Sequence, residues 1–308
     1  MNKITILILF GIFTVFSCNS PENNNNNGKN DSVLSGTVTV FHAGSLSIPF
    51  REMKKEFEKA NPKVKILLES AGSVTCARKI TDLKKDCDIM ASADEKIIRK
   101  MLIPEYTDSC INFATNEMVL AYSEKSKFSN EINEKNWSEI LQKKEVIFGR
   151  SEPDSDPCGY RTLLTWQLAD KFYKKEIYKQ LIEKNLEYIR PKEVDLVALL
   201  ESNNIDYFFV YRSVAQQHKF KFVTFNDSIN LKNSNLANLY KTVSVKINGK
   251  KPGEKMEIFG QPMVYGITFL KNAKNTKASS AFFKFIISKK GSEIMEKNGQ
   301  PSLLIFQQ

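Results

Sequence analysis

A strand pattern that ends in a Gly-Ser turn and continues into a helical pattern occurs twice near the start of this chain. Residues 38–41 run into a turn at residues 44–45, and residues 64–69 run into a second turn at residues 72–73. Successive strand–turn–helix units are typical of a parallel sheet that has both helix N-termini at one edge. Each N-terminus offers unpaired backbone N–H groups and the positive end of the helix dipole. The repeat therefore predicts an anion-binding edge on an α/β fold.

The N-terminal segment has the pattern of a secretory signal. A lysine precedes the apolar residues 4–16, a stretch too short to span a bilayer stably, and a Ser-Cys pair follows it as in a bacterial lipobox. We expect residues 1–17 to be a signal peptide and Cys18 to be the lipidated first residue of the mature protein. An ordinary signal peptide with a chance cysteine is the alternative. Residues 18–34 are too polar to bury a core and are expected to form a flexible tether.

The formal charge of +10 is spread over helical surfaces on which lysine and glutamate alternate, as at residues 51–56. This pattern is typical of solvated helix faces, so we expect no nucleic-acid partner. A basic body still raises the local concentration of small anions.

Four cysteines follow Cys18, namely Cys76, Cys87, Cys110 and Cys158. Their even number permits disulfides in an exported protein, and all three pairings stay open, including one that joins Cys76 to Cys158. The absence of a CxxC spacing and the presence of only two histidines argue against a zinc site.

Strand and helix patterns alternate from residue 35 onward, over a length that predicts two lobes. Two apolar strands, at residues 117–122 and 263–270, enclose a second α/β set. We therefore expect lobe 1 to consist of residues 35–116 plus 262–308 and lobe 2 of residues 117–261. Two crossings between lobes form a hinge beside a cleft, which can close around a ligand.

Five motifs then follow one another in a fixed order, at residues 40–46, 71–74, 156–161, 190–196 and 205–211. Together they resemble the tungstate/molybdate-binding proteins of ABC importers, of the type found in archaea, over residues 38–301. The resemblance implies a two-lobed type II periplasmic binding protein, with two mixed sheets joined by hinge strands. It also implies a protein that binds without catalysis and needs no cofactor.

The resemblance further implies which residues contact the oxyanion, namely Gly44, Ser45, Ser73, Asp156, Pro157, Cys158, Glu193 and Tyr211. The two serines and Tyr211 would donate hydrogen bonds to its oxygen atoms, and Cys158 would donate a backbone N–H.

In the family, carboxylates at the positions of Asp156 and Glu193 approach the tungsten or molybdenum atom and expand its coordination. Hard metal centres accept such oxygen ligands, whereas beside sulfate or phosphate the two carboxylates would be mostly repulsive. From the residues alone, Asp156 is a helix N-cap before Pro157, and Glu193 is a first-turn residue of a helix predicted over residues 192–202. Glu201, at the end of that helix, is the alternative second carboxylate.

Other polar residues receive different predictions. Arg78 and Arg161 lie past the helix N-terminal turns, so we expect them to pair with surface carboxylates or to act only at long range. His218 is expected at the surface after a helix. A nucleophilic pair of His42 and Cys158 lacks a recognisable third group to orient it.

The favoured function is a monomeric, membrane-tethered receptor that captures tungstate or molybdate in an interlobe cleft. It would face the periplasm or the cell exterior and would deliver the anion to an ABC permease and its ATPase subunit. A sulfate or phosphate receptor, a secreted hydrolase that uses Cys158 or a serine, and a ligand sensor that signals to a membrane protein are the alternatives.

Overall fold

The computed structural model describes residues 33–249, 251 and 253–306, so the predicted signal peptide, Cys18 and nearly all of the tether lie outside the described residues. The described residues form twelve strands: β1 (Gly36–Ala43), β2 (Val64–Ala71), β3 (Ile89–Ser92), β4 (Ile111–Thr115), β5 (Met118–Tyr122), β6 (Phe148–Ser151), β7 (Ile189–Arg190), β8 (Tyr207–Tyr211), β9 (Lys221–Thr224), β10 (Ser244–Asn248), β11 (Lys255–Phe259) and β12 (Val264–Phe269).

The α-helices of the same residues are α1 (Ser47–Ala60), α2 (Ser73–Thr81), α3 (Glu95–Ile97), α4 (Trp137–Gln142), α5 (Pro157–Tyr173), α6 (Ile177–Leu181), α7 (Asp195–Glu201), α8 (Arg212–Gln217), α9 (Asp227–Asn230), α10 (Ala237–Tyr240), α11 (Thr276–Ile286) and α12 (Lys289–Lys297). None of the helices in this part of the chain combines the length and the apolar character that a membrane span requires.

The first five-stranded sheet has the order β2-β1-β3-β12-β4 and belongs to what we call lobe 1. Strand β1 is parallel to β2 and β3, whereas β12 runs antiparallel to β3 and β4. Val38 and Val40 of β1 are fully buried, because β1 lies inside the sheet and helices cover it. Helix α1 contributes Phe50 and Met53 to the same core, at the spacing of one helical face.

The second five-stranded sheet has the order β7-β6-β8-β5-β9 and belongs to what we call lobe 2. Strand β6 is parallel to β7 and β8, and β5 runs antiparallel to β8 and β9. Helix α5 is buried on all sides from Pro157 to Trp166, and the Trp166 ring lies 5.3 Å from the Phe209 ring of β8. A burial this complete explains why α5 lacks the amphipathic pattern of a surface helix.

Both sheets therefore share one plan of three parallel strands, one antiparallel strand and an edge strand. The antiparallel strand of each sheet forms directly after the chain crosses from the other lobe: β5 follows β4, and β12 follows the strands of lobe 2. Only Asn116 and Glu117 separate β4 from β5. Strands β10 and β11 form a separate antiparallel pair against α5, where the Gln167 Nε2 donates to the Ser244 carbonyl at 2.9 Å.

Candidate functional site

The two Gly-Ser turns of lobe 1 lie directly against lobe 2. A Cβ on Gly72 would come within 2.2 Å of the Ser155 carbonyl oxygen, which also accepts the Thr75 N–H at 3.2 Å. A Cβ on Gly44 would come within 2.9 Å of Glu193 Oε2. At Gly72 the backbone of the other lobe fills the space of a side chain, so this close approach requires glycine, whereas at Gly44 the obstacle is the end of the Glu193 side chain.

Glu193 is the most unusual group at this contact between the lobes. Its side chain is 0% exposed, and among the described residues neither carboxylate oxygen has a hydrogen-bond partner. Burial, and then the negative charge of Asp156, raises the pKa of Glu193 well above its ordinary value. A buried acceptor without partners is costly in a native structure, so its presence here points to a role outside the fold itself.

Asp156 organises the backbone around Glu193. It caps helix α5 by accepting the Cys158 N–H on Oδ1 at 3.2 Å, with Pro157 as the first helical residue. Its Oδ2 accepts the Glu193 N–H at 3.0 Å, and burial raises its pKa. The N-cap interpretation of Asp156 is therefore confirmed. The Cys158 N–H, predicted to face the ligand, is bound to Asp156.

The predicted helix over residues 192–202 was wrong at its start. Helix α7 begins at Asp195, and Glu193 precedes it in a turn that the Leu196 N–H closes onto the Glu193 carbonyl at 3.1 Å. The Glu193 N–H donates to Asp156, which fixes this residue in the turn that precedes the helix. Glu201 lies on the surface with its side chain 57% exposed, 3.7 Å from His218, so only Glu193 joins the buried cluster.

Three predicted hydroxyl groups are fully buried at the same junction. Ser45 Oγ lies 2.9 Å from Tyr265 Oη, Ser73 Oγ accepts the Ala93 N–H at 3.0 Å, and Tyr211 Oη accepts a bond from Arg161 Nη1 at 3.1 Å. The structure thus brings residues of both lobes together around Glu193 and Asp156.

Arg161 is not at the surface, so the prediction that it pairs with surface carboxylates was wrong. The residue is 1% exposed, its Nη1 donates to the Ala93 carbonyl at 2.7 Å, and its Nη2 lies 3.5 Å from Asp94 Oδ2. Burial opposes its charge, but Tyr211 and Asp94 together raise its pKa above the ordinary arginine value. Arg161 therefore places a permanent positive charge inside the cluster.

Arg78 also departs from its prediction. Its guanidinium donates to the carbonyls of Asp154 at 3.3 Å and Asn248 at 3.1 Å, so it joins α2 of lobe 1 to backbone of lobe 2 rather than to a surface carboxylate. His218 follows α8 and is partly exposed, as predicted, with its ring stacked on Phe220.

The four cysteines of the described residues are all free, including Cys76 and Cys158. Burial, and then the charge of Asp156, raises the pKa of the Cys158 thiol well above its ordinary value, so this thiol stays protonated and weakly nucleophilic. The His42 ring bonds to the Ala43 carbonyl at 2.9 Å, and burial lowers its pKa to about 4. Neither residue is prepared for nucleophilic catalysis.

One member of the cluster, Asp94, was not predicted from the sequence. Asp94 is buried after β3 and accepts bonds from Tyr160 Oη at 2.7 Å and Gln261 Nε2 at 3.2 Å, both from the far side of the junction. The signal that could have found Asp94 is its place after the third parallel strand, at the same sheet edge as Ser45 and Ser73.

Comparison with known proteins agrees with this architecture. The family model of bacterial extracellular solute-binding proteins matches residues 38–300. A solute-binding protein of Petrotoga mobilis is 48% identical over 275 residues, which cover 88% of this chain and 85% of that protein. The molybdate/tungstate-binding protein WtpA of Pyrococcus abyssi is 43% identical over 296 residues, which cover 86% of this chain and 84% of that protein.

Among solved structures, the periplasmic molybdate-binding protein of Azotobacter vinelandii superposes with a TM-score of 0.61 at 16% identity, covering 88% of this chain and 100% of that one. This likeness concerns the fold, and it confirms the expected type II periplasmic binding protein architecture with two mixed sheets. The chain belongs to the bacterial extracellular solute-binding proteins, a family that binds solutes for transport and does not transform them.

Proposed function

We propose that this protein captures tungstate or molybdate between its lobes and delivers it to an ABC permease and its ATPase subunit. One observation carries the proposal: the buried Glu193 carboxylate, without a hydrogen-bond partner among the described residues, lies beside Asp156 and against the Gly44 turn of the opposite lobe. A carboxylate in this position suits a metal atom at the centre of an anion better than it suits the anion's own oxygens.

The surrounding groups supply the complementary half of the site. In the proposal, Ser45, Ser73 and Tyr211 donate hydrogen bonds to the oxyanion oxygens, while Asp156 and Glu193 provide oxygen ligands to tungsten or molybdenum. High-valent metal centres accept such hard oxygen ligands, whereas sulfur and phosphorus do not readily expand their coordination. Beside sulfate or phosphate, the two carboxylates would act mainly by charge repulsion.

One buried cation moderates the negative charge of the cluster. Arg161 lies 3.5 Å from Asp94, so it partly offsets the negative charge that the carboxylates place beside an anion. The turns at Gly44 and Gly72 allow the lobes to approach closely enough for groups of both lobes to reach one ligand. The 43% identity to a relative named for molybdate and tungstate binding supports the same ligand class.

The experiment that tests this function is a calorimetric titration of the purified protein with tungstate, molybdate, sulfate and phosphate. We expect tight binding of the first two anions and binding of the other two that is weaker by orders of magnitude. Comparable affinity for sulfate would contradict the metal-coordination argument. X-ray absorption at the tungsten edge would then count the oxygen neighbours, and a bound tungsten with only four would exclude Glu193 and Asp156 as ligands.

The cellular location forms a separate part of the proposal. A lipid on Cys18 would hold the binding protein at the outer face of the membrane, facing the periplasm or the cell exterior, as a monomer on the tether of residues 18–34. Mass spectrometry of the mature N-terminus tests this, with Cys18→Ala as the matched control. A mature protein that begins elsewhere and carries no lipid would contradict it.

A further inference from the structure

A chain of hydrogen bonds leads from the hinge to the Ser45 hydroxyl, and its first member is Asn116 in the crossing between β4 and β5. The Asn116 Oδ1 accepts the N–H groups of Glu117 at 3.0 Å and Ser213 at 3.4 Å. Backbone N–H groups only donate, so these two bonds identify the oxygen of the amide and therefore its nitrogen. The Asn116 Nδ2 donates to Ser213 Oγ at 2.8 Å and to Tyr265 Oη at 3.2 Å.

Tyr265, on β12, is the second member. Its hydroxyl is fully buried and contacts Asn116 Nδ2 and Ser45 Oγ, the latter at 2.9 Å. The Asn116 Nδ2 can only donate, so among the described residues Ser45 Oγ is the one hydrogen-bond contact of this phenol that can accept its proton, and a buried donor needs an acceptor. Because Asn116 donates to Tyr265, the Tyr265 proton goes to Ser45 Oγ.

The bond from Tyr265 determines how the Ser45 hydroxyl is oriented. Its Oγ accepts from Tyr265, so its own proton points away from that bond and is free for another acceptor. The Gln300 Nε2 holds the Ser45 carbonyl at 2.9 Å and thereby fixes the turn that carries the hydroxyl. Ser45 is thus oriented as a hydrogen-bond donor before any ligand arrives.

The other two hydroxyls of the site also accept one hydrogen bond and keep their own proton to donate. Ser73 Oγ accepts from the Ala93 N–H at 3.0 Å, and Tyr211 Oη accepts from the Arg161 guanidinium at 3.1 Å. A backbone N–H and a guanidinium can only donate, so each hydroxyl keeps its proton for another acceptor. Three hydroxyls from two lobes are therefore all set as donors, which is the arrangement that an anion with bare oxygen atoms requires.

We propose that Tyr265 is a positioning residue which, held by Asn116, orients Ser45 as a donor to the interlobe oxyanion. This inference rests on the proposed function, because it deepens the role of the same site. Oriented donors bind an anion without first having to reorganise, so removing the orienting bond lowers affinity through Ser45. The location of Asn116 in a lobe crossing also ties this orientation to the geometry of the hinge.

The test is a double-mutant cycle with Tyr265→Phe and Ser45→Ala, read out as tungstate affinity by calorimetry. Phenylalanine keeps the edge contacts that the Tyr265 ring makes with the rings of Phe113 at 6.3 Å and Tyr211 at 6.1 Å. We expect Y265F to weaken binding about tenfold, the scale of one lost hydrogen bond to a charged group. We expect S45A to weaken it by at least as much, and the double variant to bind as S45A does.

Tyr240→Phe is the matched control, because Tyr240 is also fully buried. Its hydroxyl accepts the Asn233 N–H at 3.1 Å and donates to the Asp227 carbonyl, away from the junction between the lobes. Y240F should bind tungstate like the wild type. Thermal unfolding of the ligand-free variants reports whether each one is folded.

In a second variant, Asn116→Asp, the side chain keeps its shape, but the direction of donation along the hydrogen bonds from residue 116 through Tyr265 to Ser45 is reversed. A carboxylate only accepts, so Tyr265 would donate to residue 116 and Ser45 would have to donate to Tyr265. We expect N116D to reduce affinity more in the wild type than in the S45A background. This comparison also serves if Y265F does not fold.

The outcomes separate the two proposals. Wild-type affinity in Y265F, or single effects that multiply in the double variant, would overturn the positioning role of Tyr265 and leave tungstate binding intact. A wild-type protein that binds neither tungstate nor molybdate would overturn the proposed function. The same cycle, run with whichever oxyanion the wild type then binds, would still decide the role of Tyr265.

Discussion

The two lobes have the same strand order but carry opposite chemistry at equivalent places. In lobe 1 the chain leaves β1 and β2 through turns of glycine and serine, at residues 44–45 and 72–73. In lobe 2 the equivalent strands β6 and β7 lead to Asp156 and Glu193. Topology therefore brings both sets of residues to facing edges, and the residue types alone decide that one edge donates hydrogen bonds while the other offers carboxylates.

The third parallel strands reverse this contrast, because β3 of lobe 1 leads to a carboxylate and β8 of lobe 2 ends at the Tyr211 hydroxyl. Strand β3 of lobe 1 leads to a carboxylate, Asp94, which faces Tyr160 and the Arg161 cation of lobe 2. A donor–carboxylate match thus occurs in both directions across the junction. The two edges of the junction are therefore complementary to each other as well as to a ligand. Substitutions on both sides of the junction test this complementarity.

The largest effect is expected from Gly72→Ala. Alanine suits the backbone of this turn, whose φ is −58°, but its Cβ would lie 2.2 Å from the Ser155 carbonyl of lobe 2. The variant should therefore fold normally and fail to close, with tungstate affinity reduced about a hundredfold or more, equivalent to about 2.7 kcal/mol. Calorimetry measures the tungstate affinity, and small-angle scattering measures whether the lobes close.

Gly44→Ala is the graded comparison for that variant. Its Cβ would meet the end of a flexible side chain, Glu193 Oε2 at 2.9 Å, and not a backbone carbonyl. We expect a smaller loss of affinity than in G72A. Unchanged affinity in G72A would show that the lobes bind ligand without the approach described above.

The second effect concerns the carboxylate side of the comparison. Glu193→Gln keeps the shape but removes the charge, so tungstate affinity should fall at least about tenfold. The ligand-free protein should become more stable at neutral pH, because the ionisation of Glu193 there favours the unfolded state, whereas glutamine has no proton to lose. Thermal unfolding and calorimetry measure the two changes.

The chain offers a matched control in Glu201→Gln, since Glu201 belongs to the same segment but is exposed. E201Q should leave both affinity and stability near those of the wild type. An E193Q variant that binds tungstate as tightly as the wild type would remove Glu193 from the proposed ligand set.

A pH dependence follows from the raised pKa of Glu193. The folded state holds its proton at pH values where the unfolded carboxyl, near its ordinary value of 4.5, has already lost it. The free energy of unfolding of the ligand-free protein should therefore fall as the pH rises from about 4.5 toward the folded pKa, by about 1.4 kcal/mol for each pH unit in that interval. A plot of the free energy of unfolding against pH should have a smaller slope for E193Q than for the wild type in this range. Equal slopes would contradict the assignment of the raised pKa to Glu193.

The smallest effect is expected from Tyr160→Phe, which removes the bond from lobe 2 to Asp94 Oδ2 at 2.7 Å. Asp94 keeps its contacts with Gln261 and Arg161, so the closed arrangement should weaken only about fivefold, on the scale of one net hydrogen bond. Because the bond joins the two lobes, the loss should appear in the tungstate dissociation rate by stopped-flow measurement. A change confined to the association rate would argue against a role in holding the lobes together.

Much of this protein was predictable from local patterns in the sequence. The alternation of strands and helices predicted the α/β fold, and the two Gly-Ser turns predicted an anion-binding edge on it. These features are local, since a turn needs glycine and a buried strand needs apolar residues within a few positions of each other. The N-cap role of Asp156 is local in the same sense and was confirmed.

The partners of the polar side chains were not predictable in this way. Arg161 was expected to pair with surface carboxylates or to act only at long range, yet it lies in the buried part of α5, and its partner Ala93 is 68 residues away. Glu193 was predicted with Glu201 as its alternative, and its burial beside Asp156, to which the Glu193 N–H donates, distinguishes it from the exposed Glu201. Burial and partner choice depend on which elements pack together, which no spacing along the chain records.

Local sequence patterns were enough to predict most of the groups that meet at the junction: the Gly-Ser turns of lobe 1, and Asp156, Glu193 and the Tyr211 hydroxyl of lobe 2. The directions of their hydrogen bonds and the charge state of Glu193 came from the packing of the folded protein. Tyr265 lies 220 positions from Ser45, and Asn116, between β4 and β5, lies 149 positions from Tyr265. The direction of donation along these hydrogen bonds and the raised pKa of Glu193 both depend on distance in space. Both therefore arise from groups that only folding brings into contact.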